Sequence, residues 1–448
     1  MNCAPVQASA KPITDTLMNS PIRRRSFLHQ AALASAGFAA APAILRAQQG
    51  RSPNSKLNIA CIGVTGRGAG NVDGVKNENI VAICDVDELN LKKVGEKFPG
   101  AQRYRDFRRM LEQKDIDAVV VSTPDHNHAV CVVGALRSGR HVYCEKPLAR
   151  TVSEVRLMTD TARELKRITQ MGNQIHAGSN YRRVVELVRS GAIGKVSEVH
   201  VWSAAIYGDK ILTANPPNPP TNLDYDQWLG PIQYRPYQPE YVPFHWRHFW
   251  AFGGGTLADF WCHFSDVAHW ALDLKYPSTI EAEGPKVDPE IVPIDLKVHY
   301  TYPARGEQPP VSLTWYQGKY RPTDKLPAEV LDKWRSGVLF IGEQGNLLVD
   351  YGRRVLLPEA KFANFTPPKP TISDSIGHHE EWIQAIKTGG RSTCDFSYTG
   401  PLSEAALLGN VAFRVGKKLN WDAPNLKAVG CPEADQFIQH RYREGWKI

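Results

Sequence analysis

At 448 residues, 42% hydrophobic and 22% charged, the chain is of globular composition and longer than a typical single domain, so two domains plus appendages are expected. Its formal net charge is +8, yet half of that excess sits in residues 1–47, where Lys11, Arg23, Arg24, Arg25 and Arg46 face only Asp15. The remainder carries no basic signal for nucleic acid.

Residues 1–47 read as an address. Arg24-Arg25-Ser26-Phe27-Leu28 precedes a weakly apolar run from Ala31 to Ile44, and Ala41-Pro42-Ala43 or Leu45-Arg46-Ala47 offers small residues for cleavage. Basic, apolar and small residues in that order make a secretory signal, and the paired arginines specify the twin-arginine type. The expected location is the periplasm, reached after folding. The run is too short to span a membrane and contains Pro42, and no other stretch is long enough. Loss of Cys3 with the signal leaves an odd set of cysteines without a CxxC pair, which predicts buried thiols and no metal site.

After a polar tether at 48–56, residues 57–177 alternate strands with helices. Leu57 to Gly63 is a buried strand followed by the glycine-rich turn Val64 to Gly70, and Ile80 to Asp85 is a second strand ending in an acid. Helical periodicity follows over 89–98 and 107–113, and Asp117 to Ser122 and His141 to Cys144 are further strands. This pattern predicts a Rossmann-type doubly wound parallel sheet. A dinucleotide pyrophosphate needs free N–H groups at a helix start, and an acid at the end of the next strand accepts from the ribose hydroxyls. Gly63, Gly68 and Asp85 fit that scheme, with Thr65 where G-x-G-x-x-G requires its middle glycine and Gly66 beside it. Asp85 opposes a 2′-phosphate, which favours NAD over NADP.

Residues 178–422 read as an α+β domain on an open, mainly antiparallel sheet. Ile294 to Tyr300 alternates apolar with polar, Val311 to Tyr316 continues it, and Val338 to Ile341 with Asn346 to Asp350 forms a hairpin. Ala214 to Tyr237 is a long Pro- and Asn-rich excursion, of the kind that serves function or a neighbouring subunit. A last helix is expected over 403–419 and a polar tail over 423–448.

Three groups carry possible chemistry. Glu145-Lys146-Pro147 ends a parallel strand, where open α/β sheets bind ligands, although a lone lysine is often a solvated charge. Asp259 and His263, after Gly253-Gly254-Gly255, share one helix face and serve either as an acid–base pair or as a satisfied core pair. His245 to Trp250 is either a sugar-stacking wall or a buried aromatic cluster. His126 and His128 open a helix beside the expected nicotinamide position, while His378-His379-Glu380-Glu381 reads as capping and surface charge.

Together the glycine turn before Arg67, Thr123-Pro124-Asp125-His126, Glu145-Lys146-Pro147, Gly254-Gly255-Thr256-Leu257-x-Asp259-x-x-x-His263 and the hairpin at Gly342 resemble the Gfo/Idh/MocA oxidoreductase family, over about Leu57 to Asp422. The resemblance implies hydride transfer between nicotinamide and a sugar, glycoside or polyol carbon. It implies Lys146, Asp259 and His263 as catalytic residues, with Asp259 orienting His263 as base. The cofactor set is Gly63, Thr65, Gly66, Arg67, Gly68, Asp85, Thr123, Pro124, His126, His128, Glu145 and Lys146; the substrate set is Tyr181, Arg182, His245, Trp246, Asp259 and His263. An exported member meets no cytoplasmic NAD pool, so a tightly held, recycled cofactor is expected. Alternatives are an NAD-dependent glycoside hydrolase, lyase or epimerase, and a non-catalytic sugar-binding member. A homodimer or homotetramer is expected from the open sheet.

Overall fold

The computed structural model describes residues 55–439 and 441–448. The signal expected over 1–47, and all but the last two residues of the tether at 48–56, lie outside them.

Apolar runs make the first sheet. Strands β1 (Asn58–Ile62), β2 (Asn79–Cys84), β3 (Gln102–Tyr104), β4 (Ala118–Val121), β5 (His141–Glu145) and β6 (Thr169–Gly172) lie in the order β3-β2-β1-β4-β5-β6, all parallel. Every residue of β4 is buried, as a strand covered on both faces requires. The sequence turns outward in opposite directions from the β1–β4 pair, so a crevice opens at the carboxyl ends of these strands.

The second sheet has nine strands: β7 (Val196–Ser203), β8 (Thr279–Glu283), β9 (Leu296–Tyr302), β10 (Val311–Gln317), β11 (Gly337–Gly342), β12 (Gly345–Val349), β13 (Arg354–Leu357), β14 (Leu419–Asp422) and β15 (Lys427–Val429). Only β7 and β10 run parallel to each other. The expected hairpin is β11–β12, paired in register from Val338–Val349 to Gly342–Gly345. Helices Gly255–Phe264 and Phe396–Val415 pack against this sheet, the latter also against Val152–Glu164 of the first domain. A bidentate pair between Arg156 and Glu404, 2.9 Å at each arm, bridges those two helices.

Three expectations change. The helix expected over 403–419 starts at Phe396, because Asp395 caps it through Ser397 N at 2.8 Å and Pro401 is carried inside, and a short helix, Asp435–Ile438, follows. The tail is structured: β15 pairs with β14, and Cys431, Ala434, Ile438 and Trp446 are buried. His378 is buried and hydrogen-bonded to Met171 O at 2.9 Å, while His379 stacks on Tyr143, so this pair belongs to the seam below the first sheet and not to the surface. All seven described cysteines are buried and unpaired. No described helix is long and apolar enough to cross a membrane.

Candidate active site

A cavity of about 660 Å³ opens at the carboxyl ends of β1, β2, β4 and β5 and runs to the Gly255–Phe264 helix. One end is the glycine turn. The Arg67–Gly74 helix begins behind Gly66 with no side-chain cap, and Gly66 and Arg67 lie on the cavity wall. A Cβ on Gly66 would meet nothing within 4 Å, whereas one on Gly68 would lie 2.0 Å from Gly63 O. Gly66 thus takes the open position that the register assigns to Thr65, and Gly68 is spent on helix–strand packing.

Asp85 ends β2 on the cavity wall. Its carboxylate accepts from Val64 N (3.1 Å), Asp87 N (3.0 Å) and Asn90 Nδ2 (3.2 Å), bracing the glycine turn. Burial raises its pKa, and those donors offset part of the rise.

Glu145 is the hub beneath the cleft. Its Oε1 accepts from Arg67 Nε (3.0 Å), Asn71 Nδ2 (2.9 Å) and Gln174 Nε2 (2.9 Å). Burial opposes its ionisation, but Arg67 and Lys146 outweigh it and hold the carboxyl below its usual range. Arg67 is fixed at the cavity rim, its side chain still half-exposed.

At the other end the two domains meet through Lys146. Its ammonium pairs with Asp259 Oδ1 and donates to Asp259 O at 3.1 Å. Asp259 Oδ1 also accepts from Arg247 Nε (3.1 Å), and Oδ2 from the Tyr207 hydroxyl (3.0 Å). Burial alone would raise the Asp259 pKa; Lys146 and Arg247 overcome it and hold Asp259 ionised. His263 stands on the same wall with no hydrogen bond to Asp259, and its buried Nδ1 has no partner. Asp259 therefore orients Lys146, Arg247 and Tyr207 instead of the imidazole. Burial, then the Lys146 charge, lowers the His263 pKa to about 3, so the ring is neutral. Asp125 is buried on the same wall; burial raises its pKa to about 8, with Arg247 opposing.

Of the sequence-derived set, Gly63, Thr65, Gly66, Arg67, Asp85, Thr123, Pro124, His128, Glu145, Lys146, Trp246, Asp259 and His263 line the cavity. Gly68, His126, Tyr181, Arg182 and His245 do not reach its wall. His126 turns away, its Nε2 2.8 Å from Trp228 O, and fastens the excursion to the first domain. Tyr181 donates to His263 O (2.9 Å), and Arg182 is held by Ser373 O (2.5 Å) and Glu381 (2.7 Å). His128 lies with its nitrogens 2.9 Å from Pro147 O and 2.8 Å from Thr123 O, tying β4 to the lysine segment. Sequence reading missed Asp125, Tyr207, Trp228, Arg247 and Trp446 as cavity residues. Asp125 carried a signal in the Thr123-Pro124-Asp125-His126 motif, Trp228 in the excursion, and Arg247 in the aromatic run, where it stacks 4.0 Å from the Trp246 ring centroid.

Residues 57–173 match the model of an oxidoreductase family with an NAD-binding Rossmann fold, and residues 178–308 match that family's C-terminal alpha/beta domain. The chain belongs to the Gfo/Idh/MocA oxidoreductase family. It is 29% identical over 177 residues to myo-inositol 2-dehydrogenase of Thermotoga maritima, covering 38% of this chain and 49% of the relative. It is 30% identical over 210 residues to a glycosyl hydrolase family 109 protein of Shewanella pealeana, covering 39% and 44%. The chain spans about half the length of these curated relatives. The WlbA dehydrogenase from Bordetella pertussis, solved in complex with NADH and UDP-GlcNAcA, shares the fold at a TM-score of 0.59 and 17% identity, over 82% of this chain and 99% of that one. The family's dinucleotide fits the cavity's chemistry: an uncapped helix start, an open Gly66, and the buried Thr123 hydroxyl left without a partner.

Proposed function

We propose that the protein is an NAD-dependent oxidoreductase acting on a hydroxyl-bearing carbon of a sugar, glycoside or polyol. One observation carries the reading: a single cavity joins Gly66 and Asp85 to Lys146, Asp259 and His263. A bound nicotinamide would supply the hydride acceptor. The cofactor cradle uses Gly66, Arg67, Asp85 and Thr123, and the Asp85 carboxylate favours NAD over its 2′-phosphorylated form. Trp228, Phe244 and Trp246 offer apolar faces to sugar C–H groups, while Asn127, Tyr207 and Arg247 offer hydrogen-bonding rims. The inositol dehydrogenase relative supports a polyhydroxylated substrate.

Lys146, held by Asp259, donates to the reacting oxygen and stabilises negative charge there. His263, neutral, accepts the hydroxyl proton. Burial is the larger cause of the low proton affinity of His263, and the Lys146 ammonium that adds to it also acidifies the hydroxyl. Arg24-Arg25 and the apolar run after them support export to the periplasm, where a cofactor loaded before transport stays bound and is recycled. The open face of the second sheet supports a homo-oligomer.

A second reading, transient oxidation of a glycoside followed by cleavage, is favoured by the glycosyl hydrolase relative. Mass spectrometry of the cofactor released from natively produced protein, then a sugar panel monitored for both NADH and freed sugar, separates the two. Lys146→Ala keeps bound NAD and loses turnover by about 100-fold or more. Unchanged turnover in this variant would remove Lys146 from the mechanism.

A further inference from the structure

Residues 441–448 lie beyond the segments that match the family models, yet they return to the cavity. Trp446 lines it at the end occupied by Asp85, Asp87, Asn90 and Phe107. The residue is only 9% exposed. Its ring centroid lies 6.3 Å from that of Phe107 at an interplanar angle of 32°, and the guanidinium of Arg108 stands 4.7 Å from it. The two rings are too close to hold a third between them, so they form a side-by-side wall.

Hydrogen bonds hold this segment in place. Here Arg443 donates to Gly230 O (2.6 Å), Asp226 Oδ1 (2.6 Å) and Asp226 O (2.7 Å), and its N–H reaches Pro231 O at 3.1 Å. Tyr442 donates to Glu154 at 2.8 Å. The tail is thereby fastened to the excursion on one side and to the Val152–Glu164 helix on the other. The excursion is itself joined to the segment after β2, through Glu88 N to Asn222 O (3.0 Å) and Asp224 N to Val86 O (2.9 Å). Asp85, the excursion and the tail are therefore linked by hydrogen bonds, with Trp446 packed beside Phe107 at the same end of the cleft.

We propose that Trp446 is a cofactor-binding residue, forming with Phe107 the wall for the purine ring, and that the Arg443-anchored tail is a clasp that slows release of the dinucleotide. This rests on the NAD reading above and accounts for retention of the cofactor with residues of this chain.

The test uses the full chain and three probes, NADH by fluorescence titration, with AMP and nicotinamide mononucleotide as competitors. Trp446→Ala weakens NADH and AMP about tenfold and nicotinamide mononucleotide by less than twofold, in line with the worth of one aromatic–base contact. Trp446→Phe restores most of the loss. Arg443→Ala, which removes the tail's anchor together with the guanidinium 5.7 Å from the Trp446 ring centroid, raises the NADH dissociation rate and keeps the proposal testable if the alanine variant at 446 does not fold. NADH and AMP affinities within twofold of wild type in Trp446→Ala, or an unchanged dissociation rate in Arg443→Ala, overturn the clasp while leaving the NAD reading intact. A wild-type protein that binds neither NADH nor AMP overturns both.

Discussion

Gly66→Ala and Gly68→Ala sit two residues apart and fail for different reasons. At Gly68 the added Cβ would lie 2.0 Å from Gly63 O and 2.8 Å from Gly63 C, both main-chain atoms that no rotamer change can move. The Arg67–Gly74 helix must lift from β1, an overpacking cost of about 3 kcal/mol or more. At Gly66 no atom stands within 4 Å, but φ is 56° and ψ is −122°, so alanine there costs about 1–3 kcal/mol in backbone strain alone. The new methyl also stands in the space where a pyrophosphate would approach the helix N–H groups. Gly66→Ala is therefore expected to fold, with NADH affinity lowered at least tenfold, while Gly68→Ala loses the folded state first. Urea denaturation followed by tryptophan fluorescence, beside an NADH titration, reads both quantities. Wild-type NADH affinity in Gly66→Ala, or a Gly68→Ala protein of wild-type stability, would refute the division of labour between these glycines.

Asp259→Asn leaves Lys146 and Arg247 without the carboxylate that pairs with both. The side chains of the Lys146–Asp259 pair are only 11% and 7% exposed, so the loss is expected near the low end of a broken buried pair, about 3 kcal/mol, with turnover down at least 100-fold. Denaturation midpoints and steady-state rates check the two effects separately. Stability should also depend on pH in two opposed ways. Burial lowers the pKa of His126 to about 3 and of His141, His269 and His378 to about 4, below the unfolded value of about 6.5. Below pH ~6.5 the unfolded chain binds more protons, so this contribution, complete above ~6.5, is lost as pH falls toward 4. Asp125 works in the other sense: burial raises its folded pKa to about 8, so its contribution is lost as pH rises from about 4 to 8. Asp125→Asn should therefore gain stability relative to wild type across that rise; a gap independent of pH contradicts the buried, neutral carboxyl.

The parallel sheet was legible because β1, β2 and β4 carry continuous apolar runs, and β9 because burial alternates along it. Strand β3, Gln-Arg-Tyr, was not legible; an edge strand of three residues, none fully buried, has no hydrophobic signature. The site was half legible. Asp259 and His263 share a helix face, which spacing predicts, but the partners of Asp259 come from 12, 52 and 113 residues away and no local pattern encodes them. Tyr181 and Arg182 failed as substrate residues for a related reason: their helix supplies core contacts and a buried ion pair to Glu381, which polarity in a single sequence does not distinguish from a binding role. The tail reads as polar because its few anchors, Tyr442, Arg443 and Trp446, are scattered among charges.

The excursion and the segment after it pack a core of their own. Leu223, Tyr225, Trp228, Leu229, Ile232, Tyr241, Trp246, Phe249 and Phe252 form a cluster separate from those of the two sheets. Part of this cluster is also the outer wall of the substrate end, through Trp228 and Trp246. A wall with its own internal support can vary without loosening the sheets that carry Lys146 and the glycine turn. Selection can then exchange one hydroxylated substrate for another by rewriting this cluster between Leu223 and Phe252, with Arg247 kept on Asp259 and the reaction inherited unchanged.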